Sequence, residues 1–167
     1  NVVNMLNIKY TLQTAEDGSL SAGLNPNAYG NAWLVEEVIS CRSADDEIQR
    51  LATENLAKTA LTTESIPQRE FVLDSLSSIS LVAHKANELR YKASVSSTAF
   101  AVFSEMHYPH GWQAYIDEVE APHYRVNYAL RGLIIPGGQH DVVFRFAPGV
   151  IARGTRIQLA GYGIFAL

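Results

Sequence analysis

Leu89-Arg90-Tyr91-Lys92-Ala93-Ser94-Val95 decides the fold class, because its odd positions are apolar and its even positions polar. A period of two sends alternate side chains to opposite faces of an extended strand, the pattern of a half-buried antiparallel sheet. Downstream, Ala99 to Phe103 is a continuous apolar run, as a strand covered on both faces requires. Trp112-Gln113-Ala114-Tyr115-Ile116 follows and ends in a turn at Asp117-Glu118. Tyr128 to Ile135 reads as a further strand, stopped by Pro136-Gly137-Gly138. Val142, Phe144 and Phe146 then alternate with Val143 and Arg145, which predicts a hairpin around the Pro-Gly-Gly turn. Thr155 to Leu159 closes the series. Several strands separated by turns, with no helices between them, predict an antiparallel β-sandwich of jelly-roll or carbohydrate-binding-module type.

Upstream the pattern is less regular. Val2 to Leu12 reads as a strand, with Met5, Ile8 and Tyr10 facing the core. Gln13 to Gly30 is rich in Gly, Asn and Ser and reads as a loop closed by Asn25-Pro26-Asn27. Ala32-Trp33-Leu34-Val35 through Val38-Ile39 is strand-like. One short helix is expected near 44–55, with Ser43 as its cap and Asp45, Asp46 and Glu47 suiting the positive end of the dipole. Ile48, Leu51 and Ala52 give that helix its apolar face, and a short strand follows at Lys58–Thr62. The chain thus divides into an N-terminal segment, 1–77, packed on a sandwich core, 78–167.

Composition bounds the function. With 47% hydrophobic and 18% charged residues in a chain of 167, a domain that buries roughly 70% of its unfolded surface is expected. A net charge of -4 argues against nucleic acid as a partner, since phosphates call for a dense Lys/Arg surface. Cys41 stands alone, so no internal disulfide forms, and no multi-Cys zinc site. The chain begins at Asn1 and ends on the apolar run Ala160–Leu167; both ends read as cuts within a longer protein, the second just ahead of an apolar segment. Nothing between them reaches the ~20 consecutive apolar residues of a membrane-spanning helix.

The stretch Phe103-Ser104-Glu105-Met106-His107-Tyr108-Pro109-His110-Gly111-Trp112-Gln113-Ala114-Tyr115-Ile116-Asp117 carries a resemblance. Taken with Arg125-Val126-Asn127, Leu130-Arg131 and Ile135-Pro136-Gly137-Gly138-Gln139-His140, it resembles the C-terminal region of the YfhO family of bacterial membrane proteins. Asn4-Met5-Leu6-Asn7-Ile8-Lys9-Tyr10, Asn25-Pro26 and Gly30-Asn31-Ala32-Trp33 extend the likeness over nearly the whole chain, thinning between about residues 40 and 98. Such proteins resemble membrane glycosyltransferases that use lipid-phosphate sugars, with catalytic acidic residues in an early loop that this chain does not contain. The resemblance therefore implies a non-catalytic, extracytoplasmic accessory domain whose partners are the membrane helices of its own parent chain. At Asp117-Glu118-Val119 an Asp-Gly turn would be expected, and the missing Gly leaves the tightness of that hairpin open.

Candidate site residues follow from side-chain chemistry. Aromatic rings flanked by hydrogen-bonding groups hold the C–H faces of sugars, which singles out Tyr108 and Tyr115. Trp112 shares a strand face with Ala114 and Ile116 and reads as core. Arg125 and Arg131 lie among apolar neighbours and are candidate contacts for an anion or sugar phosphate, while Arg131 is also expected to pair with Glu105 or Asp117. Glu105 and Asp117 are also the two carboxylates that a small glycan hydrolase would use. His84, His107, His110, His123 and His140 have no Cys or tight acidic cluster beside them, so no metal is assigned. Neither a Gly-x-Ser-x-Gly elbow nor a Gly-rich phosphate loop is present, so no cofactor is assigned. Three functions remain: an accessory domain recognising a glycan or polymer acceptor, a free-standing carbohydrate-binding module, and a glycan hydrolase.

Overall fold

In a computed structural model that describes residues 2–15, 18–149, 154 and 158, a helical turn, α1 (Val2–Met5), leads into a hairpin of β1 (Tyr10–Thr14) and β2 (Leu20–Leu24). Next come β3 (Ala32–Val35), β4 (Glu37–Ser40), the helix α2 (Ala44–Thr53) and β5 (Thr59–Thr62). The later strands are β6 (Ser78–Lys85), β7 (Glu88–Val95), β8 (Ala99–Met106), β9 (Trp112–Ile116) and β10 (Val119–Ala121). β11 (His123–Val126), β12 (Leu130–Ile135) and β13 (Gly138–Phe146) complete the described strands.

Two antiparallel sheets dominate, one of order β10-β9-β13-β7-β6 and one of order β11-β12-β8-β3. The alternating heptapeptide forms most of β7, and its apolar positions Leu89, Tyr91, Ala93 and Val95 are all buried. They meet Ala101 and Phe103 of β8, Leu133 and Ile135 of β12, and Val142 and Phe144 of β13 in one core. Both sheets contribute inward side chains to that core, which makes the fold the β-sandwich that the alternation predicts. Phe103 lies 4.8 Å from the Tyr91 ring and 4.8 Å from the Phe144 ring, edge-on to both.

The four-stranded sheet is covered on its other side as well. Phe100 and Val102 of β8 and Leu130 of β12 join Val35, Val38, Leu51, Leu56, Leu61 and Phe71 in a second core. This explains the unbroken apolar run of β8, since each of its faces meets a different core. The second core is roofed by α2 and by the parallel pair β4 and β5. β3, from the N-terminal segment, is the edge strand of the four-stranded sheet.

α2 begins where expected: Ser43 is the cap, its hydroxyl accepting from the Asp46 amide at 3.2 Å. Its buried face is different. Ile48 is 45% exposed, whereas Glu47 is fully buried beside Leu51. The helix is turned so that a carboxylate, not an isoleucine, faces the sheet, because a cation waits there.

Four other expectations need correction. Val2 to Met5 is helical and only Tyr10 onward is extended; Met5 is buried as expected, but Ile8 and Tyr10 are exposed. The expected loop from Gln13 to Gly30 contains β2, paired with β1. The strand-like run from Ala32 to Ile39 is two strands in different sheets, broken at Glu36. Pro136-Gly137-Gly138 does not close a hairpin: β12 and β13 lie in opposite sheets, so this corner carries the chain across the sandwich. The expected strand at Thr155–Leu159 falls, Gln158 apart, outside the described residues.

The turn at Asp117-Glu118 is tight without a glycine. Ile116 pairs directly with Val119, leaving a two-residue turn in which Asp117 (φ 50°) and Glu118 (φ 66°) are both left-handed. That is the backbone of a primed hairpin turn, which Asn-Gly usually fills. Here side-chain bonds hold it: Asp117 accepts from the Asp141 amide at 2.9 Å and Glu118 pairs with Arg145 at 2.7 Å.

A glycine inside β12 is a packing requirement. A Cβ on Gly132 would lie 2.5 Å from Cζ of Phe100 and 2.9 Å from Cγ1 of Val126, both fully buried. Gly132→Ala is expected to destabilise the domain by about 1–3 kcal/mol through overpacking, read as a lower midpoint in urea unfolding. An unchanged midpoint would show that Phe100 relaxes freely.

Candidate functional site

The polar positions of β7 point away from the core, and the neighbouring strands do the same. This gives the five-stranded sheet an outer face of polar side chains arranged in rows by the strand register. Ser78 stands beside Ser94, which stands beside Gln139; Ser80 stands beside Lys92, which stands beside Asp141. The small serines leave a shallow groove of about 420 Å³, lined also by Asp117 and His140. In the next row Arg90, Val143 and Tyr115 lie side by side. Rows two residues apart are separated by roughly 7 Å along a strand, so Tyr115 stands one row beyond the groove's Lys92 and Asp141.

Charge on this face is distributed in pairs. The Arg145 guanidinium sits 4.9 Å from the Tyr115 ring centre, held by Glu118 at 2.7 Å and Glu88 at 3.5 Å. The Tyr115 hydroxyl donates to Gln113 Oε1 at 3.1 Å. Hydrogen bonding from Arg90 holds the Glu88 carboxyl below its usual range. At the groove's rim His140 Nδ1 lies 2.6 Å from Asp117 Oδ2. That bond lowers the Asp117 pKa and raises that of His140. The face thus presents amide and hydroxyl donors, carboxylate acceptors and one aromatic ring, the set that a polyhydroxylated ligand needs.

The other candidates lie elsewhere. Tyr108 is 49% exposed and leans on His110 and Phe146, at the end where β9 begins. Tyr115 belongs to the outer face of the sheet, so the two tyrosines do not form one site. Glu105 is near the end of β8, in the electrostatic field of Tyr91 and Arg131. Arg131 stacks on Trp112 at the start of β9, whereas Asp117 follows its last residue. A five-residue strand of roughly 3.3 Å per residue separates those ends. Glu105 and Asp117 are therefore not set up as a carboxylate pair.

Arg131 shares the Leu133 face, as its position in the strand predicts, but it does not form the ion pair expected of it with Glu105 or Asp117. It is 2% exposed, donates from Nε to the Met106 carbonyl at 2.9 Å, and stacks on Trp112 at 4.2 Å and Phe144 at 5.1 Å. The ladder between β12 and β8 is bulged at Leu130/Arg131, which puts a carbonyl rather than a carboxylate within reach. Burial lowers the Arg131 pKa, against the raising influence of Glu105. Its Nη1 has no hydrogen-bond partner among the described residues.

Arg125 is committed to structure. It donates to Glu47 at 3.1 Å, to the Tyr128 carbonyl at 2.6 Å and to Thr63 Oγ1 at 2.8 Å. Glu47 also accepts from the Tyr128 amide at 2.6 Å, and Asn127 accepts from the Leu61 amide at 2.8 Å. These bonds fix Asn127 and Tyr128 in left-handed conformations, φ 48° and 70°. Glu47 was the partner that the sequence concealed, since 78 residues separate it from Arg125. Its one local signal is the i, i+4 spacing to Leu51, which puts it on the buried face.

Among the described residues no group of three or more His, Cys, Asp or Glu is placed to hold a metal. His107 and His123 do meet, with ring centres 5.2 Å apart. Burial pushes the His123 pKa down to about 4, helped by His107 and Arg131.

Two outcomes follow from these groups. Glu47→Ala would leave the Tyr128 amide without its acceptor and Arg125 without its counter-charge, and is expected to cost about 3–5 kcal/mol in unfolding free energy. A loss below ~1 kcal/mol in urea titrations would mean that the pair is dispensable. For His123, the unfolded ring protonates near 6.5 and the folded ring only near 4. The unfolded state therefore binds more protons in that window, and stability should fall as pH drops through it. Thermal midpoints across the window should decline less in His123→Gln than in the parent chain; an identical decline would assign the effect to another group.

No protein-family model matches the chain, and no curated protein or solved structure matches it.

Proposed function

We propose that this chain is a non-catalytic recognition domain that binds a glycan or related polymer across the outer face of its five-stranded sheet. The observation that carries the reading is the row register itself, which sets Tyr115 on the same sheet face and one row from a groove lined by Lys92, Ser94, Gln139 and Asp141. Flat sheet faces suit extended polymers. Strands spaced roughly 4.8 Å apart offer a ladder of side chains on nearly the scale of a sugar ring. Donors and acceptors alternate along that ladder, and a sugar's hydroxyls need both. The separation of Glu105 from Asp117 favours binding over hydrolysis.

The resemblance to the YfhO region supports a more specific setting. In that setting the domain is the extracytoplasmic accessory part of a polytopic membrane protein, and the glycan is an acceptor or product handled by the membrane half. A free-standing carbohydrate-binding module would use the same face. The parent gene separates the two: flanking membrane helices support the first, and a fused hydrolase supports the second.

Binding of the domain to a glycan array that includes bacterial surface polymers tests the face directly. Tyr115→Ala is expected to weaken binding about tenfold, equivalent to ~1.4 kcal/mol. Tyr108→Ala, at the other end of the sandwich, should leave binding unchanged. A silent array, or binding indifferent to Tyr115→Ala, would remove the proposal.

A further inference from the structure

The hairpin of β1 and β2 forms a separate sheet, and every residue of β1 is exposed. Its register pairs Tyr10 with Leu24, Leu12 with Ala22 and Thr14 with Leu20. Directly paired residues share a face, so Tyr10, Leu12, Thr14, Leu20, Ala22 and Leu24 line one side, with Thr11, Gln13, Ser21 and Gly23 on the other. Tyr10 is 65%, Leu12 76%, Leu20 70% and Leu24 66% exposed. Val2, Val3, Leu6 and Ile8 add partly exposed apolar surface next to it. Neither strand holds a charged residue, although exposed edge strands are usually guarded by Lys or Pro. A lone two-stranded hairpin is only marginally stable in water, and an apolar patch of this kind marks a contact surface.

Its place in the molecule says what the contact is. The hairpin's base is fixed where the Asn25 side chain donates to Asn4 and to the Ile8 carbonyl. The Ser104 hydroxyl ties that base to the sandwich through the Met5 and Gly30 carbonyls, at 2.7 and 2.8 Å. Ser104 is next to the Met106 end of β8, where Arg131 stacks on Trp112 and Trp112 packs on Phe146, the last residue of β13. The hairpin and the departing chain are thus at the same end. Beyond Gly149 the sequence carries only Arg153 and Arg156 as charges, and from Ile157 to Leu167 it carries none.

We propose that the apolar face of this hairpin lies on a lipid bilayer surface. An uncharged apolar sheet face stands at the end where the chain leaves β13, the sequence from Ile157 to Leu167 carries no charge, and Lys9, next to β1, is a basic residue able to reach headgroups. The sequence joining β1 to β2 carries Glu16 and Asp17, charges that are costly to bury in hydrocarbon. The open strand edges also require water or headgroups, because unpaired backbone groups are not tolerated in hydrocarbon. The hairpin therefore lies flat at headgroup depth. The inference rests on the membrane setting of the proposed function and uses nothing of the glycan face, so the two fail separately.

Flotation of the full chain with phosphatidylcholine vesicles, with and without phosphatidylglycerol, is the test. The parent chain is expected to float, and the triple variant Leu12→Ser, Leu20→Ser, Leu24→Ser to bind at least tenfold more weakly with an unchanged thermal midpoint. Tyr10→Trp should show an emission blue shift on vesicle addition beyond that of the parent chain. Glycan binding by the triple variant should equal that of the parent. Absence of flotation would overturn the proposal, as would equal flotation of the triple variant, which would assign lipid binding to 157–167. A lipid-free dimer dissociated by the same substitutions would overturn it too, making a second copy the occupant.

Discussion

Phe103 is the residue through which the two sheets recognise each other. It comes from the four-stranded sheet and sits 4.8 Å from two rings of the five-stranded sheet, Tyr91 and Phe144, edge-on to each. Edge-to-face geometry is directional, so the contact fixes the relative position of the sheets as well as burying area. Once β8 is placed by Phe103, its neighbours Phe100 and Val102 are committed to the opposite core. That second core seats α2 and the pair β4 and β5. The sandwich and the helical layer are therefore set by two faces of one strand. The outer face of the five-stranded sheet follows by parity, because Tyr91 inward means Arg90 and Lys92 outward.

Parity also marks what a sequence can reveal. β7 was legible because each residue lies between core and water, so burial is printed along the chain as alternation. β8 was legible as a continuous run because both faces are dry. α2 was legible from Ser43 and the acids that follow it, a local device. Partners in the ladder are another matter: Pro136-Gly137-Gly138 has the composition of a hairpin turn, yet it joins two sheets. Periodicity fixes which way a side chain points and is silent on which strand lies beside it. β2 was hidden for a different reason. Its Leu-Ser-Ala-Gly-Leu has weak strand propensity, and it packs on no core that would impose a pattern.

The candidate site was legible in part for the same reasons. Tyr115 could be placed opposite Ala114 and Ile116 from the alternation alone. Its neighbours could not, since Lys92, Ser94, Gln139 and Asp141 come from two other strands, β7 and β13. The arginines show the limit most clearly. Arg125 and Arg131 both sit among apolar residues, and chemistry asks each for a carboxylate. Arg125 has one, Glu47, carried in by a helix far away in sequence. Arg131 instead relies on a backbone carbonyl and two aromatic faces. Cation–π contact and Coulomb pairing can satisfy the same charge, and sequence does not say which a given arginine will use.

The site and the hairpin then acquire a geometric relation. The groove is lined by the first residues of β13, Gln139 and Asp141, and by Ser94 near the end of β7. The hairpin's base lies at the other end, where β13 finishes at Phe146. β13 has nine residues, and at roughly 3.3 Å each a strand of that length spans about 25–30 Å. Groove and hairpin base are thus separated by about that distance along the strand. Tyr115 lies partway between, on the polar face of the five-stranded sheet.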